Sequence, residues 1–85
     1  MEKRLGVVAI VVEGSRGVAV DVQKILTDFS DIIIGRMGIP DNEKEIAVIS
    51  LIIKGSVERI SALTGKLGRL ENISVKSAIT QVAVK

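Results

Sequence analysis

The chain has 85 residues, 12 Lys+Arg against 10 Asp+Glu, a hydrophobic fraction of 47%, an aromatic fraction of 1%, and neither Cys nor His. That composition allows one small domain with an aliphatic core. It excludes a disulfide framework, a zinc site of the usual ligands, a nucleophilic Cys and a general-base His.

A net charge of +2 is too small to argue for nucleic acid. The opening MEKRLGVVAIVVEG has charge followed by an apolar run, as a signal peptide does, but the run is short, has no small-residue cleavage site and leads directly into the fold. No stretch is long enough to span a membrane, so a cytoplasmic protein is expected.

Leu5–Val12, LGVVAIVV, is a β-branched run too short for a typical helix and apolar on both alternating faces, which predicts a strand buried on both sides. Glu13-Gly14-Ser15-Arg16-Gly17 breaks the pattern and opens a helix. Val18, Val22, Ile25, Leu26 and Phe29 recur on one helical face, with Asp21, Gln23, Lys24 and Asp28 mostly off it. Ser30-Asp31 turns the chain into a second strand, Ile32–Ile39. Pro40-Asp41-Asn42 reads as a turn, and Glu43-Lys44-Glu45 keeps the hairpin end solvated.

Ile46–Lys54, IAVISLIIK, is a third strand, again apolar on both faces. Gly55 ends it, and Ser56 suits a helix N-cap. The second helix is predicted to run to about Leu70, burying Val57, Ile60, Leu63 or Thr64, and Leu67. Arg59, Lys66 and Arg69 fall on another stripe, which reads as a solvated face. Gly65 and Gly68 interrupt this helix at about 1 kcal/mol each relative to Ala. Ile73–Val84 is the closing strand, with Ile73, Val75, Ile79 and Ala83 on one face.

The order is βαββαβ. Right-handed crossovers place both helices on one face of a four-stranded antiparallel sheet, an α+β ferredoxin-like fold filling residues 1–85. Two helices cover one face only, while the first and third strands supply apolar groups to both. Another copy of the chain is the expected cover, giving a homodimer or tetramer through the sheet face or edges.

Three segments have the residue types of a site. Gly35-Arg36-Met37-Gly38 can hold a ligand carboxylate through Arg36 with the glycines admitting the backbone; equally, it reads as a bulged edge strand whose Arg36 blunts aggregation. Thr64-Gly65-Lys66 with Gly68 can form the polar end of an interface pocket, or the glycines can let the helix lie close to the sheet. Gly14, Ser15, Arg16 and Gly17 precede a helix N-terminus and can cradle an anion, though an ordinary βα loop explains them more simply. No cofactor and no metal are expected.

DIIIGRMGIP (residues 31–40) and ISALTGKLGRLENISVKSA (residues 60–78) resemble a family of small bacterial proteins named for regulation of the iron-only hydrogenase system, with an ACT-like, ferredoxin-like fold. The resemblance runs through almost the whole chain and departs at Glu71-Asn72, where the family has Pro-Gly. It implies a non-enzymatic regulatory or small-effector-binding module acting as a homo-oligomer, with a small effector or a regulatory protein as partner. The chain is also similar in fold to the nickel-sensing domain of a metal-dependent repressor, whose ligands include the His and Cys that are missing here.

Two other classes share the topology. Sheets that bind RNA stack bases on aromatics, and Phe29 is the sole aromatic, assigned to a helix core face. Acylphosphatases hold phosphate on an Arg-bearing loop after the first strand, which Gly14–Val18 resembles with a glycine spacing one residue short.

Overall fold

The structure, a computed structural model, describes residues 2–14, 16–41 and 46–84, with the backbone alone at residues 16, 17, 40, 41 and 84. Strands β1 (Lys3–Glu13), β2 (Ile33–Asp41), β3 (Ile46–Gly55) and β4 (Ile73–Val84) alternate with helices α1 (Arg16–Asp28) and α2 (Val57–Gly68) in the expected βαββαβ order. The sheet is antiparallel throughout, in the order β2-β3-β1-β4, so the two most aliphatic strands lie at its centre and β2 and β4 form its edges.

Alternation along the central strands separates two faces. Val8, Ile10 and Val12 stand beside Leu51, Ile49 and Ala47 across the β1–β3 ladder and point to the helices. There Val22 and Leu26 of α1, Phe29 just past its end, and Ile60, Leu63 and Leu67 of α2 close an entirely aliphatic core around one aromatic ring. Val7 and Val11, paired with Ile52 and Val48, point the other way. Among the described residues nothing covers that second face, and Val7 and Ile52 remain 41% and 43% exposed. The burial expected for β1 is thus realised on one side only, because both helices lie on the same side.

Other expectations shift locally. β1 starts at Lys3 because Lys3 and Arg4 pair with Val84 and Ala83 of β4. The predicted turn at Pro40-Asp41 is ladder instead: Pro40 stands opposite Ala47 and Asp41 opposite Ile46. An edge strand tolerates a residue without an N–H, which is why proline fits there. Asn42, Glu43, Lys44 and Glu45, the rest of that turn, lie outside the described residues. Val57 is exposed, unlike the stripe predicted for it, because the first residue of α2 sits over a shallow recess of Arg4, Ile79, Thr80 and Gln81 at the end of the sheet.

The start of α2 is as read: Ser56 has extended backbone and its hydroxyl accepts the Arg59 N–H at 3.2 Å. At the other end, Asn72 has φ 62, the left-handed conformation that glycine prefers and asparagine tolerates. The Glu71-Asn72 departure therefore makes a left-handed turn without glycine, and the Asn72 carbonyl accepts the Glu13 N–H at 2.8 Å.

Gly55 is fixed by close approach. A Cβ there would lie 2.7 Å from Ile32 Cγ2, in the turn that delivers the chain to β2. Gly65 and Gly68 are different: a Cβ at either would meet nothing within 4 Å, so closeness of helix to sheet does not account for them. Gly55→Ala is expected to destabilise the fold by about 1–3 kcal/mol through overpacking. Gly65→Ala is expected to stabilise it by about 0.5–1 kcal/mol through helix propensity. Urea midpoints of the two variants against the parent chain check both signs.

Candidate functional site

The site begins with a β-bulge. Ile33 stands opposite Ile53, and Gly35 opposite the adjacent Ile52, which leaves Ile34 as the extra residue on β2. The bulge lets Ile32 and Ile33 both pack towards the core, pushes Ile34 outwards, and resets the alternation for the rest of the strand. Arg36, opposite Leu51, consequently emerges on the helix-bearing side.

There its Nη2 donates to Gln23 Oε1 of α1 at 2.9 Å. Leu26, Thr27, Ser30, Ile33, Ile34, Gly35 and Arg36 line an open groove of about 370 Å³ between the end of α1 and the start of β2. Its floor is aliphatic, from buried Leu26 and half-buried Ile33. Its rim carries the hydroxyls of Thr27 and Ser30, of which Thr27 Oγ1 is spent on the Gln23 carbonyl at 2.9 Å.

The ion pairs among the described residues join Arg4 to Glu2 and Arg59 to Asp31, and neither involves Arg36. A guanidinium has five donors, and among the described residues the side-chain partner of Arg36 is a neutral amide. What the arrangement can do is bind a carboxylate whose hydrocarbon part lies on the groove floor. The groove's lining has no acid, thiol or imidazole to act as a base or nucleophile. No group of three metal-ligating side chains occurs among the described residues.

Of the other expected site residues, Gly35 lines the groove beside Arg36, and Gly38 lies further along the β2 edge strand outside that lining. Thr64 is half-buried on α2 and donates to the Ser61 carbonyl, while Gly65 and Lys66 are exposed. The groove is lined without any of these three. Gly14 has φ 99 in the β1–α1 loop, Arg16 and Gly17 begin α1, and Ser15 lies outside the described residues.

Gln23 reads in the sequence as an ordinary polar residue off the apolar face, with nothing to mark it as a partner of Arg36. It also misplaces Arg59, which is more than part of a solvated stripe. Its guanidinium lies 4.3 Å from the Phe29 ring centroid and bonds Asp31 Oδ1 at 2.5 Å and the Asp28 carbonyl at 3.3 Å. Lys66 Nζ approaches the same ring at 5.6 Å. The helical period could have placed Phe29 at the end of α1, but the crossing of α1 with α2 that brings it under Arg59 is a tertiary fact.

The Arg59 hydrogen bond holds the Asp31 carboxyl below its ordinary value of 3.8, with the guanidinium charge adding to the effect and desolvation opposing it. A carboxylate with a depressed folded pKa contributes stability above its unfolded pKa and loses it as pH falls through the folded value. The parent chain is therefore expected to lose more stability than Asp31→Asn between about pH 6 and about pH 2.5. Urea midpoints at both pH values test this, and equal losses would remove the ion pair from the account of acid stability.

The family model TM1266-like, described as "Iron-only hydrogenase system regulator, putative", matches residues 4–77. Among solved structures, uncharacterized protein TM1266 from Thermotoga maritima is 36% identical, with a TM-score of 0.91 over 94% of this chain and 100% of its own. The apo form of CPII from Thiomonas intermedia K12, a nitrogen regulatory PII-like protein, is 15% identical, with a TM-score of 0.60 over 96% of this chain and 95% of its own. A formyltetrahydrofolate deformylase from Pseudomonas putida KT2440 is 8% identical, with a TM-score of 0.62 over 87% of this chain and 28% of its own. The last two share the fold alone. No curated protein matches the chain in sequence.

Proposed function

The chain belongs to the TM1266-like family, and on that premise we propose that it is a non-enzymatic, cytoplasmic regulatory module linked to the iron-only hydrogenase system, binding a small effector and working as a homo-oligomer. The observation that carries the effector reading is Arg36: a cation without a carboxylate partner among the described residues, held by Gln23 over an aliphatic groove whose lining has no acid, thiol or imidazole. Such a site selects a ligand and transforms nothing.

Self-association follows from the uncovered sheet face. Four strands about 4.8 Å apart, with about ten residues each at about 3.3 Å, present roughly 600 Å². Two such faces together remove roughly 1,200 Å² from water, the lower limit of a standard stable interface. Val7, Ile52 and Val48 give that face its aliphatic character. The PII-like protein and the deformylase show that the same fold occurs both alone and as a small part of a larger chain, so the module reading does not depend on an attached domain.

Two measurements test the proposal. In a thermal-shift screen, aliphatic carboxylates are expected to raise the melting temperature of the parent chain and to leave Arg36→Ala unmoved, since a real ligand stabilises by mass action. A flat response across carboxylates, nucleotides and metals would sink the effector reading. Light scattering is expected to give a dimer or tetramer for the parent chain and a smaller species for Ile52→Lys; a monomeric parent chain at micromolar concentration would sink the assembly.

A further inference from the structure

The groove has two walls of unequal firmness. Ile33, Gly35 and Arg36 belong to β2 and are laddered to Ile53, Ile52 and Leu51 of β3. Leu26 and Thr27 belong to α1, which no ladder reaches, and Ser30 lies in the turn between the two elements. Gln23, which holds Arg36, rides on the same helix three residues before Leu26. The position of α1 relative to the sheet therefore sets both the width of the groove and the place of its guanidinium.

Aliphatic packing does not fix that position closely. Val22 and Leu26 hold α1 down through contacts that are non-directional. A directional anchor comes from α2. Arg59 Nη2 donates to the carbonyl of Asp28, the last residue of α1, at 3.3 Å, and to Asp31 Oδ1 at 2.5 Å. One nitrogen thus joins the end of the helix to the residue that leads into β2. The guanidinium is itself held 4.3 Å from the centroid of the Phe29 ring, which is 2% exposed. At the other end of the residue, the Arg59 N–H donates to Ser56 Oγ at 3.2 Å. Arg59 is anchored to α2 by its backbone and to the core by the ring, and it does not line the groove.

We propose that Arg59 is a positioning residue of the groove: by clamping Asp28 to Asp31 it holds the end of α1 at one distance from β2, and through Gln23 it aims Arg36. It acts through the turn and touches nothing that lies in the groove. An exposed ion pair adds little to global stability, so the clamp governs the shape of this region rather than whether the chain folds. One consequence rests on reading the groove as an effector site. A carboxylate that needs Arg36 in place and the clamp that places it favour the same arrangement, so each strengthens the other. The first turns of α2 and the groove are then coupled through one side chain.

Three amides report the clamp. The Phe29 N–H donates to the Ile25 and Leu26 carbonyls at 3.2 Å, the Ser30 N–H to the Thr27 carbonyl at 3.2 Å, and the Ile32 N–H to the Phe29 carbonyl at 3.0 Å. Arg59→Met keeps the aliphatic stem and removes the donors. In hydrogen exchange followed by NMR, these three amides are expected to exchange at least about tenfold faster in the variant, after correction for any change in the amides of β1 and β3. A role in global stability alone would speed all of them by one factor. The Gln23 side-chain amide resonances are expected to move in Arg59→Met towards their positions in Arg36→Ala. Asp31→Asn leaves the core unaltered and is expected to speed the same three amides at least about threefold, which decides the matter if Arg59→Met does not fold. Uniform acceleration, or Gln23 resonances that stay at their parent positions, overturns the proposal. These measurements need no ligand, so they stand apart from the effector reading, which fails separately if hexanoate does not stabilise the parent chain. Where hexanoate does bind, its affinity for Arg59→Met is expected to be at least about tenfold weaker, and equal affinity overturns the coupling.

Discussion

Two helices can cover one face of a four-stranded sheet, and in this chain the other face is built from the same aliphatic residues. Val7, Val11, Val48 and Ile52 alternate with Val8, Ile10, Ile49 and Leu51 along the same two central strands. The covered set is almost wholly removed from water, and the second set is left half-exposed by the chain's own geometry. A small domain buries a modest fraction of its surface, so this unspent area is large relative to what the core supplies. That asymmetry leaves an aliphatic surface whose behaviour is set by what meets the sheet.

Within the covered layer, the one concentrated polar device is the Phe29–Arg59–Asp31 set. The core has no buried polar or charged side chain among the described residues, so nothing polar fixes its internal registration. Arg59 does so at the margin. Its guanidinium stacks on the ring that ends α1, caps the Asp28 carbonyl left free at that helix terminus, and pairs with Asp31 in the turn to β2. One α2 side chain thus ties down the turn that delivers Ile32 and Ile33 to the core, and through them the bulge that aims Arg36. The ion pair is exposed and modest by itself; its placement at the junction of α1, α2 and β2 is what gives it influence over the groove.

Most of the fold was legible because it rests on local periodicity. The continuous β-branched runs, the helical spacing of Val22, Leu26 and Phe29, and Ser56 before α2 each express a preference that tertiary packing did not overrule. The errors came where a residue's meaning depends on a neighbouring strand. Pro40 suits a turn in isolation and an edge ladder in this sheet. Val57 fits the stripe of α2, but the sheet ends beneath it. Of the candidate groove's lining, Arg36 and Gly35 were legible in the sequence, and no further residue was. Gln23 becomes the partner of Arg36 only because a bulge at Ile34 inverts the alternation, and nothing in DIIIGRMGIP distinguishes a bulged strand from a regular one.

The glycines give the clearest division between what the chain explains and what it leaves to its surroundings. Gly6 and Gly55 are answered from within, by a carbonyl and a side chain that leave no room for a Cβ. Gly35 and Gly38 find only ordinary space, yet sit in a strand that would be stronger without them. Arg36 stands between them, bonded to a neutral amide above a groove whose outer rim is that same strand. Anything that approaches β2 closely at those glycines therefore also approaches the groove, and by linkage a ligand held in the groove and a contact made along the strand influence each other in both directions.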